Sequence, residues 1–356
     1  VDHRAGRRAL VAAGAVAVVG AGLAGSAAFA GVLPSKSVDA VCGSSADVGQ
    51  IAVAADSASD AWAIGSCNGE YVIEHWDGAH WALGPLTAVR QSTALTGVAA
   101  TSAANVWVVG YEANTYRALV EHWNGSTWTA VDANRFAGAA RGETELNAVS
   151  ATTSGGTWAV GILCCPRGLI EHWNGSRMAA SPDRALPRIA QSGFFGVAAT
   201  SPRDVWAVGN SNARHFHALS ERWNGRRWKA ERAPGAYELY GVASTSPTNA
   251  WAVGSGGSAS SGGGVVEHWN GIRWSEQAKA ALPLQAISAS SPTNAWAVGG
   301  FAGRGVIEHW DGMRWSVQAK PPVELQSVAA VSANDAWALG GETLMHWNGH
   351  AWARSG

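Results

Sequence analysis

Twenty tryptophans fill three recurring slots along this 356-residue chain, and that periodicity limits what it can fold into. A Trp-Ala-Val-Gly-like word is centred on Trp62, Trp107, Trp158, Trp206, Trp251, Trp296 and Trp337. Each is followed by a version of Glu-His-Trp-Asn-Gly-x-x-Trp, with pairs at Trp76/Trp81, Trp123/Trp128, Trp223/Trp228, Trp269/Trp274, Trp310/Trp315 and Trp347/Trp352. The third copy keeps Trp173 but carries Met178 in the last slot, so 20 of 21 slots hold Trp and none is left over. The aromatics are therefore committed to architecture.

Each copy breaks into four short segments. In the second these are Leu95 to Ala100, Val106 to Gly110, Ala118 to Trp123 and Trp128 to Val131. They are rich in β-branched and aromatic residues and separated by turn residues, so each reads as a strand. Ser-Ala/Pro-x-Asn/Asp joins the first two, as at Ser102 to Asn105, Ser201 to Asp204, Ser246 to Asn249 and Ser291 to Asn294. Proline in that frame presets a type I turn. Asn124-Gly125 is expected to supply the positive backbone angles of a tight hairpin. If all four residues from Asn124 to Thr127 form the loop, Trp123 and Trp128 become a cross-strand pair contributing about 0.2–1 kcal/mol. Four strands at a spacing of 41 to 51 residues between successive words predict an all-β fold, a seven-bladed β-propeller of four-stranded antiparallel blades. The second strands are apolar on both alternations, as expected where each sheet is covered on both faces.

Residues 1–30 read as a secretory signal: basic His3 to Arg8, apolar Leu10 to Leu23, then Ala28-Phe29-Ala30 for cleavage. Arg7-Arg8 also fits a twin-arginine leader, though the usual flanking residues are missing. The apolar run is too short and Gly-rich for a lasting membrane span, and its GxGxxG spelling at Gly20 to Gly25 follows no strand. The mature protein is thus expected to be extracellular and monomeric. Residues 31–47 form an N-terminal segment in which Ser37 to Val41 is a candidate ring-closing strand, and 48–356 the propeller. Without the leader the chain has 22 basic and 25 acidic residues, which gives no electrostatic reason to expect nucleic acid. Four Cys in an exported chain allow disulfides. Cys42 can pair with Cys67, whereas adjacent Cys164 and Cys165 fit a strained vicinal bond or two free thiols.

Val298-Gly299-Gly300 followed by Val306 to Trp310 and Trp315 resembles a kelch repeat, a family spanning galactose-oxidase-type propellers and non-catalytic platforms. Leu169 to Ser176, followed by a Leu-x-x-Val-Ala-Ala-Thr-Ser-type strand, resembles secreted bacterial seven-bladed propeller lectins. That resemblance implies sugar binding between blades through aromatic and polar side chains. The Gly-His and Trp-Asp pair of WD repeats and the full sialidase Asp-box are missing.

Glu-His recurs at Glu74-His75, Glu121-His122, Glu171-His172, Glu267-His268 and Glu308-His309. Residues repeated once per blade are spread round a ring and cannot converge on one reacting atom, so a structural role is expected. In a propeller, the strand-two-to-three loops and the links between blades share one face. These segments vary here, and function lies on variable loops over a rigid scaffold. The candidate ligand-binding residues are Tyr111, Tyr116, Arg117, Arg135, Phe136, Arg141, Arg167, Arg214, Phe216, Tyr237, Phe301 and Arg304. Gly254 to Gly264 reads as a flexible flap. Cys164, Cys165, His215 and His217 form a minority zinc or copper set on neighbouring loops; otherwise no cofactor is expected. Asn124-Gly125-Ser126 and Asn174-Gly175-Ser176 match a glycosylation sequon, but the turn already accounts for them. The leading function is a non-catalytic binding propeller for a glycan or protein. The alternatives are a propeller lyase or oxidase, for which no nucleophile or carboxylate pair can be assigned, and a structural envelope protein.

Overall fold

The computed structural model describes residues 15–16, 48–67, 70–84, 93–112, 114–133, 144–163, 167–181, 192–212, 217–257 and 263–355. Seven antiparallel sheets, each with four strands in chain order, span 48–83, 93–130, 144–180, 192–230, 238–280, 284–319 and 327–354. These are blades one to seven of a β-propeller. Blade seven's sheet also takes in Ala15–Val16, which runs parallel to Ser327–Val328. The candidate ring-closing segment, Ser37 to Val41, lies outside the described residues, as does Cys42.

The repeat words act at defined places. The glycine closing Trp-Ala-Val-Gly sits opposite a bulge in the inner strand. A Cβ at Gly110, Gly209 or Gly254 would lie 1.8–2.0 Å from an inner-strand carbonyl oxygen. Only glycine lets the strands approach so closely. At the other end of the blade, the Ser-x-x-Asn/Asp turn closes with its serine hydroxyl accepting a backbone N–H two residues on, as Ser102 does from Ala104 and Ser201 from Arg203.

The Asn-Gly hairpins differ from the sequence expectation. The glycine alone takes positive φ, 86–95° in blades one to seven. The leading Asn or Asp oxygen accepts the N–H groups two and three residues on, as Asn124 does from Ser126 and Thr127. All four residues therefore form the loop, and Trp123 pairs with Trp128 in register. The asparagine side chain substitutes for a second left-handed residue.

Twelve of the 20 tryptophans are buried and the other eight half-buried. Six of the second-strand Trp residues pack against the Trp pair of the next blade, and Trp107 packs against Trp173, whose partner slot holds Met178. Trp62 meets Trp123 and Trp128, both at 5.9 Å, and Trp251 meets Trp310 at 5.0 Å and Trp315 at 5.3 Å. Trp337 of blade seven meets Trp76 at 5.2 Å and Trp81 at 5.3 Å, so the series closes on itself. Most of these contacts are tilted or edge-on, the arrangement that aromatic quadrupoles favour. The seam between blades seven and one also carries a hydrogen bond from the Val53 N–H to the buried Ser327 hydroxyl.

Candidate functional site

On the hairpin side, each Glu-His histidine stacks on its own blade's tryptophan, as in Trp107–His122 at 4.2 Å and Trp296–His309 at 4.1 Å. Its Nε2–H donates to the turn residue, Asn105 Oδ1 for His122 at 2.7 Å and Asn294 Oδ1 for His309 at 2.7 Å. That amide donates in turn to Thr101 or Ser290. Burial holds His122, His172, His268 and His309 below the usual imidazole range, which favours the uncharged ring. The structural role expected of these pairs is what the geometry gives.

Two blades vary this relay. Blade four has Arg222, whose Nε and Nη2 both donate to buried Asp204 Oδ1, at 3.0 and 2.8 Å. Its guanidinium lies 5.4 Å from the ring centres of Trp206 and Trp269, bridging blades four and five. Blade one has Asp56 and Asp60. Burial, its hydrogen bond with Asp60 and that group's charge push Asp56 up to about 8. A neutral Asp56 can then donate to Asp60, as the Thr200 hydroxyl donates to Asp204 at 2.6 Å.

The glutamates point the other way. Glu267 is buried and accepts the Gly235 N–H of the blade-four-to-five link at 2.5 Å. Burial, reinforced by Glu276, raises its carboxyl to about 7. A carboxyl bound more tightly to its proton when folded costs stability as pH rises from about 4.5 to 7, and the cost is complete above that window. Glu267→Gln keeps the acceptor and removes the charge. It is expected to stabilise the protein by roughly 1–2 kcal/mol at pH 8, after allowance for screening, and by almost nothing at pH 4. Urea titration at the two pH values measures this; equal effects at both would refute it.

The opposite, variable face carries the candidate site. Tyr111 is the penultimate residue of the strand Asn105–Glu112 of blade two and is half-buried. Tyr116 stands in the following turn, 42% exposed, with its ring stacked on Tyr111 at 5.8 Å and 11°. Its backbone is left-handed, φ 51°, a costly conformation for a bulky side chain. Three bonds hold it there: the Tyr116 N–H to the Glu112 carbonyl at 2.7 Å, the Thr115 hydroxyl to the Glu112 carboxylate at 2.7 Å, and the Thr144 N–H to the Tyr116 carbonyl at 2.5 Å. Arg117 is exposed and pairs in register with Glu112. Burial, with the charges of Glu145 and Tyr71 nearby, raises the Tyr111 phenol. Tyr71 of blade one and Glu145 of blade three thus lie within electrostatic reach of the stacked pair of blade two, and Thr144 of blade three is bonded to it. Sequence alone does not single out Tyr71 and Glu145; their positions at the loop-side ends of regular strands hid them.

The remaining candidates are scattered. Arg167 is exposed at the start of blade three's third strand, Tyr237 is half-buried in the link to blade five, and His217 is exposed opposite Ser211. Phe301, 51% exposed, and Arg304 flank a two-residue turn at Ala302 and Gly303, both with positive φ. Arg135, Phe136, Arg141, Cys164, Cys165, Arg214, His215 and Phe216 lie outside the described residues. Among the described residues no group of three or more His, Cys, Asp or Glu is placed to hold a metal ion. The expected flap is shorter than its glycines suggest: Gly254 and Ser255 belong to a strand, and Gly256 donates back to the Gly263 carbonyl at 2.9 Å.

This architecture defines a seven-bladed β-propeller. No protein-family model and no curated protein matches the chain. Among solved structures it is similar to U3-55K, at 8% identity and a TM-score of 0.56, over 83% of this chain and 89% of that one. It is also similar to the RRP9 WD40 repeats, at 8% and 0.55 over 83% and 88%. A third is the lectin of Aleuria aurantia, a six-bladed, fucose-recognising propeller, at 14% and 0.50 over 77% and 96%. At such identities the likeness is one of fold.

Proposed function

We propose that this protein is a secreted, non-catalytic binding propeller whose variable face takes a glycan, with the stacked Tyr111–Tyr116 pair of blade two as its platform. The carrying observation is Tyr116: an exposed ring, stacked on a second ring and locked in a strained backbone conformation by three hydrogen bonds. Strain held by surrounding structure is a mark of functional positions. A sugar's C–H face stacks on such a ring, while Arg117 and Glu112 offer a donor and an acceptor for its hydroxyls. The fucose-recognising neighbour shows that a propeller can serve this purpose, and the fold also suits a protein ligand.

A glycan array followed by calorimetric titration of the best hit tests this. Tyr116→Ala is expected to weaken binding by tenfold or more, with melting temperature shifted only slightly, and Ser126→Ala on the hairpin side to leave affinity unchanged. Silence across the array, or equal loss from both variants, would reject the proposal; capture of a protein through Tyr116 would replace the glycan by a protein ligand.

A further inference from the structure

The hairpin tips are not equivalent. In the slot before the closing residue of the hairpin, blades three to six carry Arg177, Arg227, Arg273 and Arg314. Blades one, two and seven carry His80, Thr127 and Ala351 there. All four arginines are exposed, and among the described residues only Arg314 has a carboxylate within ion-pair reach, Asp311 at 4.0 Å. In the preceding slot, neighbouring blades five and six hold Ile272, 80% exposed, and Met313, 87% exposed. The N–H groups of Ile272 and Met313 are bonded to Asn270 and Asp311 at 3.0 and 2.8 Å, which holds both residues at the apex of their hairpins. A cleft of about 210 Å³ beside Ile272, lined by Arg222, Lys229 and Trp269, adds no net charge, because Arg222 pairs with Asp204 and Lys229 with Glu231.

We propose that the hairpin face of blades three to six docks onto an anionic lipid surface, its tip arginines drawn to the headgroups and Ile272 and Met313 entering the interface. A lone exposed apolar residue means nothing. Two on adjacent projecting tips, set in an arc of cations on a chain of formal net charge −1, form a polarised patch with the chemistry of a membrane interface. Each arginine near an anionic leaflet strengthens adsorption by roughly fivefold. A nucleic acid would find the cations but no aromatic platform, since Ile and Met offer bases no π-face.

Co-sedimentation with vesicles tests the proposal, using phosphatidylcholine alone and phosphatidylcholine mixed with phosphatidylglycerol. The full chain is expected to bind the mixed vesicles, less so as salt rises, and to ignore the neutral ones. Arg227→Glu with Arg273→Glu and Arg314→Glu should cut binding at least tenfold, and so should Ile272→Ser with Met313→Ser. Tyr116→Ala should leave it unchanged, and near-ultraviolet circular dichroism should confirm that all variants are folded. Equal binding to both vesicle types, or binding untouched by the tip variants, would overturn the proposal; so would loss in the charge variant alone with competition by heparin, which would make the ligand a polyanion.

Discussion

Trp206→Ala is expected to be among the most damaging single substitutions in the molecule, at about 3–5 kcal/mol of stability. The ring is fully buried and packs 4.9 and 4.8 Å from Trp269 and Trp274 of the next blade, so truncation opens a cavity at a blade boundary. It also takes one aromatic face from Arg222. A rigid cross-strand frame on either side leaves little room for collapse, which places the cost toward the upper part of that range. Chemical denaturation followed by tryptophan fluorescence measures it. A loss below about 1 kcal/mol would mean that the blade boundary does not depend on this ring.

Arg222→Ala comes next, at roughly 3 kcal/mol, because it abandons the carboxylate of Asp204, which has only 4% of its surface exposed. Much of that figure is the penalty of leaving a buried charge unpaired, which makes Arg222→His the informative companion. Blades one and seven already join Asp60 to His75 and Asp335 to His346 in this geometry, and histidine stacks on the tryptophan there at 4.1–4.3 Å. Arg222→His is therefore expected to recover most of the loss at neutral pH. Matching destabilisation by Ala and His would show that the Trp206–Trp269 bridge, rather than the pairing with Asp204, is what Arg222 supplies.

The blades were legible in the sequence because one physical problem is solved seven times. A bulge demands glycine, a turn demands serine and Asn or Asp, and a blade boundary demands tryptophan, so each requirement prints the same letter at the same spacing. What varies was harder to read. Tyr116 could be named from its place in a loop, but its left-handed backbone and its stacking on Tyr111 depend on Glu112 and Thr144, which carry no pattern. Tyr71 and Glu145 sit within regular strands, so nothing local marks them as neighbours of that loop. The hairpin face looked uniform because its Asn-Gly and Trp letters repeat. Ile272 and the four arginines occupy the two slots between those letters, and only the fold shows that they project together.

The closing contact of Trp337 with Trp76 and Trp81 has a consequence for how the molecule relates to its own chain order. The four antiparallel strands of every blade are laid down by one continuous stretch, and the one described strand added from elsewhere, Ala15–Val16, only lies alongside the first strand of blade seven. The junction between blades seven and one is therefore built like the six junctions the chain crosses covalently. Geometrically the ring has no privileged beginning. Joining the chain across that junction and opening any other link would give a circular permutant with the same seven boundaries, and a blade can be duplicated or lost as a cassette without unpicking its neighbours.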